Sequence, residues 1–443
     1  MAFRDSDFLF RCVIIGVIRI TTTSKIVSVA MVTVPWKVRT IISLLLFLGV
    51  FLVATELLCQ RSKAVLPTPP LKRITQCEER IARSRVSQRG DFFVLENVVR
   101  PSGQVKCYES VTYTTQADYS FLDNLPDLMK RWKGPISVAL FAPGEDFRPT
   151  LDSIAFLRNC ETPLIKHHVT FHVFFPVDHF PKTIYKMALI EAYEDVYNCQ
   201  KGAPYLNVKV NEMYRRKLNL TYPINVGRNV AREGAYTHFV LASDIELYPT
   251  PDFIPKFLEM ITANPEYAYR HNPHVYALPI FEINANESVP PNKTILQEMM
   301  RTGKAFLFHK KLCSACHSVP KSKEWLVAKE TEGVGVFTVG KRMGVNKMWE
   351  AFYVGTNQDP LFDDRLTWEG QGNKMTQGYS LCLLNYDYMV LNNAFLTHRP
   401  GVKKSKEQIN KYSRYIGATN RLIKRKIKVE LEALYGSRQG CYL

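Results

Sequence analysis

Along this chain, short unbroken apolar runs alternate with stretches whose apolar positions recur every three or four residues. The longest run covers residues 40–58 (TIISLLLFLGVFLVATELL), and its only charge is Glu56. A helix that crosses a bilayer needs about 20 mostly apolar residues, so this run predicts a membrane anchor. Lys37 and Arg39 precede it directly, and Arg11, Arg19 and Lys25 lie further upstream. The cytosolic bias of basic residues therefore places the N-terminus in the cytosol. Arg61, Lys63, Lys72 and Arg73 on the far side work against that orientation. A cleaved signal peptide competes with the anchor, but the run is long for one and no small-x-small cleavage site follows. A second, weaker apolar stretch covers residues 8–20, and Met31 is an alternative start.

Residues 59–89 contain Pro67, Pro69, Pro70 and many charges, which predicts a stem. From Gly90 onward the pattern is globular. Residues 136–142 (ISVALFA) form a near-continuous apolar run after Gly134-Pro135, as expected of a strand buried on both faces. Residues 150–160 have helical spacing. Residues 167–175 (HHVTFHVFF) are β-branched and aromatic, which predicts a second strand. Residues 224–234 (INVGRNVAREG) read as a helix ending at glycine, and residues 236–242 (YTHFVLA) as a third buried strand. Strands alternating with helices predict an α/β domain with an open sheet, whose ligands bind beyond the carboxyl ends of the strands.

Directly after the third strand comes Ser243-Asp244-Ile245-Glu246-Leu247-Tyr248-Pro249. Carboxylates two apart on extended chain point to one side, while Ile245 points back into the fold. Two hard oxygen ligands on one side suit Mg²⁺ or Mn²⁺, with a diphosphate completing the shell. Solvated loop acids are the plain alternative. On the preceding helix Arg228 and Arg232 share a face, with Asn229 beside them, and these groups suit diphosphate or uridine hydroxyls. A solvated basic face is the alternative there.

Composition narrows the partners. The chain has 443 residues, 46% of them apolar, enough for a real core. A net charge of +17 favours polyanions: nucleic acid, acidic lipid heads or acidic glycans. If the part beyond the anchor is luminal, nucleic acid drops out. Eight of the ten cysteines (77, 107, 160, 199, 313, 316, 382 and 441) lie there, an even number that suits disulfides. For Cys313-Ser-Ala-Cys316 a disulfide is favoured over half a zinc site, because His309 and His317 have the wrong spacing. Sequons stand at Asn219, Asn286 and Asn292. Lys403, Lys404, Lys406, Arg421, Lys424, Arg425, Lys426 and Lys428 mark a helix with a solvated basic face.

The run Tyr222-Pro-Ile-Asn-Val-Gly-Arg228-Asn229-Val-Ala-Arg232-Glu233-Gly-Ala235, then a strand and the Asp-x-acid triplet, resembles glycosyltransferase family 49. Other blocks follow the family's order. Upstream are Val111-Thr112 and Arg131-Trp-Lys-Gly-Pro-Ile-Ser-Val-Ala139. Downstream are Pro279-Ile-Phe-Glu-Ile283, Cys313-Ser-Ala-Cys316, Trp349-Glu350-Ala-Phe-Tyr-Val354, Phe362-Asp363-Asp364 and Val390-Leu-Asn-Asn-Ala-Phe-Leu-Thr-His398. The resemblance implies a GT-A fold, a divalent metal (usually Mn²⁺) and a UDP-sugar donor. It points to glucuronate passed from UDP-glucuronic acid, with inversion, to a glycan on a glycoprotein, such as a xylose-terminated O-mannosyl glycan. By position Asp244, Glu246 and His398 would be metal ligands. An inverting transfer needs a base near the acceptor hydroxyl, and the downstream loops offer Asp363 or Asp364, ahead of Glu350. The implied organisation is a cytosolic tail (1–39), a type II anchor (40–58), a stem (59–89) and a transferase domain (90–443) facing the Golgi lumen. Three positions depart from the pattern. Glu246 stands for aspartate, Ala351 for proline, and Tyr379-Ser380-Leu381 lacks an acid. These bear on donor and acceptor more than on fold. Another UDP-sugar donor, or a catalytically weak glycan-binding scaffold, are the other readings of the same residues.

Overall fold

A computed structural model of the chain describes residues 70–182, 184, 197–309, 313, 315–368, 372–398 and 413–443, together with 48, 49 and 51. The expected tail and almost all of the expected anchor lie outside these residues. Among the described residues no helix is long and apolar enough to cross a membrane.

The chain beyond residue 69 is a mixed α/β unit, Pro70–Leu443. Its strands are β1 (Arg85–Arg89), β2 (Phe92–Val99), β3 (Val111–Ala117), β4 (Ile136–Phe141), β5 (Val169–Pro176), β6 (Phe239–Ala242), β7 (Leu247–Pro249), β8 (His274–Leu278), β9 (Ile280–Ile283), β10 (Ala305–Leu307), β11 (Gly335–Gly340), β12 (Phe352–Thr356), β13 (Asp387–Asn392) and β14 (Leu396–His398). Ten of them form one mixed sheet in the order β1-β2-β5-β4-β3-β6-β12-β8-β13-β11, and a second sheet runs β10-β9-β14-β7. The centre of the large sheet, β5-β4-β3-β6, is parallel. Its strands are buried on both faces, which is why 136–142 and 236–242 read as continuous apolar runs.

The helices expected over 150–160 and 224–234 occur as Phe147–Cys160 and Ile224–Glu233. The second strand differs at its start. Thr162 caps a helix, Pro163–His168, with proline at its first position, so His167 and His168 close a helical turn and β5 begins at Val169.

The helix Ile224–Glu233 is buried from Asn225 to Arg232. Val226, Val230 and Ala231 pack on Phe141 and Phe174. A Cβ at Gly227 would stand 2.8 Å from the Gln116 Cβ. The mid-helix glycine, unfavourable by about 1 kcal/mol relative to alanine, thus lets the helix sit close on β3. Below it, buried His172 accepts from the Asn97 amide at Nδ1 (3.0 Å), and its Nε2 lies 3.0 Å from Ser137 Oγ, which donates to Ala231 O. Burial lowers the His172 pKa to about 4.

The stem boundary moves. Residues 70–89 belong to the domain, through a helix at Pro70–Thr75, a Cys77–Cys107 disulfide and the β1–β2 pairing. Proline and charge read as linker, but edge strands also tolerate that composition. All eight cysteines pair: Cys77–Cys107, Cys160–Cys199, Cys313–Cys316 and Cys382–Cys441. In the described part of the basic tail, Lys424, Arg425 and Lys426 are exposed while Ile423 and Ile427 pack near Leu366, so the basic face is solvated as expected.

Candidate active site

From β3 the chain builds outward to β4 and β5, then returns to place β6 on the other side of β3. Such a reversal opens a crevice at the carboxyl ends of the strands. Gln116, near the end of β3, and Asp244, just past β6, meet there, with Gln116 Nε2 donating to Asp244 Oδ1 at 3.2 Å. Gln116 is itself held by the Tyr222 hydroxyl (2.6 Å), and the Tyr113 hydroxyl lies 2.7 Å from Asp244 O and 2.8 Å from Leu247 O.

Asp244 is strongly charge-compensated. Arg228 Nη2 lies 3.2 Å from Oδ1 and Lys374 Nζ 3.6 Å from Oδ2. Burial pushes the Asp244 pKa up, but Lys374 and Arg228 outweigh it and hold the carboxyl well below the usual range. Arg228 is fixed by Asn225 Oδ1 (3.0 Å) and Asn373 Oδ1 (2.7 Å). Lys374 lies over the Phe352 ring, 3.5 Å from its centroid. Burial, partly offset by Asp244, lowers its pKa to about 8.

The chain does not run extended past Asp244 as the spacing predicts: Leu247 N donates to Asp244 O at 3.0 Å and closes a turn, and Glu246 has a partner of its own. β7 pairs with β14 so that His398 stands opposite Leu247, and His398 Nε2 lies 3.2 Å from Glu246 Oε1. Phe308 packs against His398, stacks on His309 and meets His317, which neighbours Phe352. An aromatic and imidazole wall therefore runs from the Glu246–His398 pair toward Lys374.

The other expected site residues divide. The basic face of the helix is not solvated: Arg228 is 5% exposed and Arg232 1%. Only Arg228 of the three expected nucleotide contacts reaches Asp244. Arg232 donates to Thr356 O, Asp359 O and Pro360 O, and Asn229 to Phe362 O and Asp364 Oδ1 while accepting from Phe362 N. They clamp the 356–364 loop onto the helix, and their polar groups are occupied in doing so. Asp363 is held by Arg365 at 2.6 and 2.9 Å, and Asp364 by Arg89 (2.6 Å) and Asn229 (2.7 Å). Among the described residues nothing hydrogen-bonds the Glu350 carboxylate, while its backbone is tied to Cys316 O and His317. Burial raises the Glu350 pKa, and the nearby charges of Lys374, Arg228 and Arg342 oppose the rise. Asp363 and Asp364, the favoured candidates by sequence, are thus both held by arginines, and Glu350 is held by none among the described residues.

The donor set of Asp244, Glu246 and His398, two carboxylates and an imidazole on neighbouring strand ends, fits a hard divalent ion by residue type. Geometry brings Glu246 and His398 side by side. Among the described residues no three acidic, histidine or cysteine side chains gather into a metal group, and the Asp244 carboxylate is paired with Arg228 and Lys374. Lys374, Gln116 and Asn373 were not singled out by sequence. The available signal was a polar residue at the end of a buried strand for Gln116, and a lysine at a helix start for Lys374.

Residues 110–436 match the family model described as glycosyl-transferase for dystroglycan, and the chain belongs to this family, glycosyltransferase family 49. It is a glycosyltransferase of the glucuronyltransferase and LARGE group. Beta-1,4-glucuronyltransferase 1 of Danio rerio is 30% identical over 331 residues, covering 72% of this chain and 73% of that one. Xylosyl- and glucuronyltransferase LARGE1 of Homo sapiens is 23% identical over 295 residues, covering 66% of this chain and 31% of that one. A solved structure of S. aureus TarS 1-349 in complex with UDP overlaps 65% of this chain and 60% of that one, at 13% identity and a TM-score of 0.29. That likeness is too slight to bear on fold or ligand.

Proposed function

We propose that this chain is a type II Golgi membrane protein whose luminal GT-A domain transfers glucuronate from UDP-glucuronic acid, with inversion, to a glycan on a glycoprotein. The observation that carries this is the meeting of Asp244, Arg228 and Lys374 beside the Glu246–His398 pair at a sheet switch point, in a chain of this family. The relatives' names supply the sugar, and the family description supplies dystroglycan as the acceptor protein to test. Four disulfides and exposed sequon asparagines at 219 and 286 support an oxidising, glycosylating compartment.

Asp244, Glu246 and His398 would hold Mn²⁺ or Mg²⁺, which when bound supplies charge stabilisation for the departing diphosphate. Arg228, fixed by two asparagines, adds a positive charge at the same end of the sheet. Glu350 takes the proton from the acceptor hydroxyl. That oxygen bonds the anomeric carbon as the bond to UDP breaks on the opposite face, which inverts the centre.

The test uses the full chain in detergent with Mn²⁺ and a panel of UDP-sugars, following UDP release with and without a xylose-terminated acceptor. UDP release from UDP-glucuronate, lost with EDTA and in Asp244→Ala, is the expected result. Release from another UDP-sugar alone would replace the donor. No release from any donor by folded protein would shift the reading to a glycan-binding scaffold.

A further inference from the structure

The two oxygens of Asp244 are engaged in different ways. Oδ1 accepts from Gln116 and Arg228, both at 3.2 Å, and each donor is anchored elsewhere, Gln116 by Tyr222 and Arg228 by Asn225 and Asn373. Oδ2 faces Lys374 alone among the described residues, and at 3.6 Å, well beyond the 2.7–2.9 Å of a good charge-assisted hydrogen bond. Among the described residues the ammonium's other contact is the Phe352 ring face, which constrains distance but hardly direction. Lysine is a compact charge on a flexible stem that serves as a phosphate anchor, whereas a doubly pinned arginine keeps its place.

Asp244 is in contact with two cations, Arg228 and Lys374, and the Glu350 carboxylate is the other nearby anion. A divalent ion arriving alone meets a carboxylate already paired to two cations, whereas an ion arriving with a diphosphate brings an anion for Lys374 to pass to. Resting on the metal-assisted reading above, we propose that Lys374 is a displaceable counter-ion. It holds the cation position on Asp244 while the donor is absent, and passes to the donor's diphosphate when a divalent ion takes the carboxylate. The lysine would thereby couple metal binding to nucleotide binding and keep free metal off the site.

The coupling has a signature that a packing role lacks. In Lys374→Met, which keeps the stem over Phe352, Mn²⁺ alone should bind roughly tenfold more tightly, because Asp244 loses a competing charge. UDP should bind roughly tenfold more weakly, because its diphosphate loses an anchor. Lys374→Arg should keep the wild-type order of both affinities. Free Mn²⁺ by electron paramagnetic resonance and UDP by calorimetry, on the full chain in detergent, read the two constants without turnover. Thermal melts check that each variant is folded. Affinities moving in opposite directions in Lys374→Met support the proposal. Weakening of both, or an unchanged Mn²⁺ affinity, overturns it. Should Lys374→Met not fold, the wild type decides: Mn²⁺ binding strengthened tenfold or more by UDP is required, and equal Mn²⁺ affinity with and without UDP overturns the proposal. A wild type that binds neither Mn²⁺ nor UDP, singly or together, overturns the donor reading itself, a result distinct from failure of the exchange.

Discussion

Asp244 and Glu246 stand two residues apart on one tight turn, closed by the Leu247 amide donating to Asp244 O, and their carboxylates have different surroundings. Asp244 is met by Gln116 from β3, Arg228 from the buried helix and Lys374 from the start of the helix Met375–Leu383. Glu246 is more open, with 35% of its side chain exposed, and its partner His398 arrives on β14. The difference follows from where each carboxylate sits relative to the sheet. Asp244 lies at the reversal between β3 and β6, onto which the helix Ile224–Glu233 packs, whereas Glu246 belongs to the edge of the small second sheet. One flank is pre-organised and charge-locked, and the other is a looser pair.

That contrast can be broken or sharpened in four ways. The largest expected effect belongs to the locked flank. Asp244→Ala should lower kcat/KM by on the order of 10³-fold, measured as UDP release, with the fold intact. A loss under tenfold would mean the locked carboxylate is not part of the machinery. Next, Glu350→Gln should lower kcat by on the order of 10²-fold while leaving the donor KM unchanged, as removal of a base does. If Asp363→Asn produces that effect instead, the base has been misassigned.

The third test concerns the support beneath the locked flank. His172 is neutral and buried, and its folded pKa of about 4 lies below the unfolded value of 6.5. In the window between them the unfolded chain binds more protons, so stability is lost as pH falls from about 6.5 to 4. The loss is on the order of 3 kcal/mol from this residue and is absent above that window. Melts across the window should slope less steeply in His172→Gln than in wild type. Parallel slopes would place the acid sensitivity elsewhere, for instance at His238, which burial also lowers to about 4. The smallest effect is expected on the looser flank. Glu246→Asp shortens the side chain by one methylene, and the pairing with His398 should adapt, so activity should change by less than about tenfold. A loss as deep as that of Asp244→Ala would show the two flanks to be equally exacting.

Much of this was legible along the chain. Continuous apolar runs gave β4 and β6, helical spacing gave Ile224–Glu233, and the acid triplet fell just past a buried strand. The even cysteine number anticipated complete pairing, and Cys313–Cys316 bonds as favoured. Less legible was what each polar side chain does. Arg228, Asn229 and Arg232 lie on one helix with the same apparent promise, yet only the first reaches Asp244. Periodicity records which face of an element is buried, not whether the surface burying it is a ligand site or another loop.

What the sequence by itself determined is therefore local: the α/β alternation, the buried strand just before Asp244, the family blocks and the cysteine count. These depend on burial patterns and spacings that neighbouring residues set. The tertiary structure decided the partners. Asn229 meets Asp364 across 135 residues, Gln116 meets Asp244 across 128, and Arg89, from the segment expected as stem, pins Asp364 from 275 residues away. Such pairings arise only when the sheet order brings distant loops to one edge. The electrostatic state of Asp244, the lack of an ion-pair partner for Glu350 among the described residues and the position of Lys374 are consequences of that order.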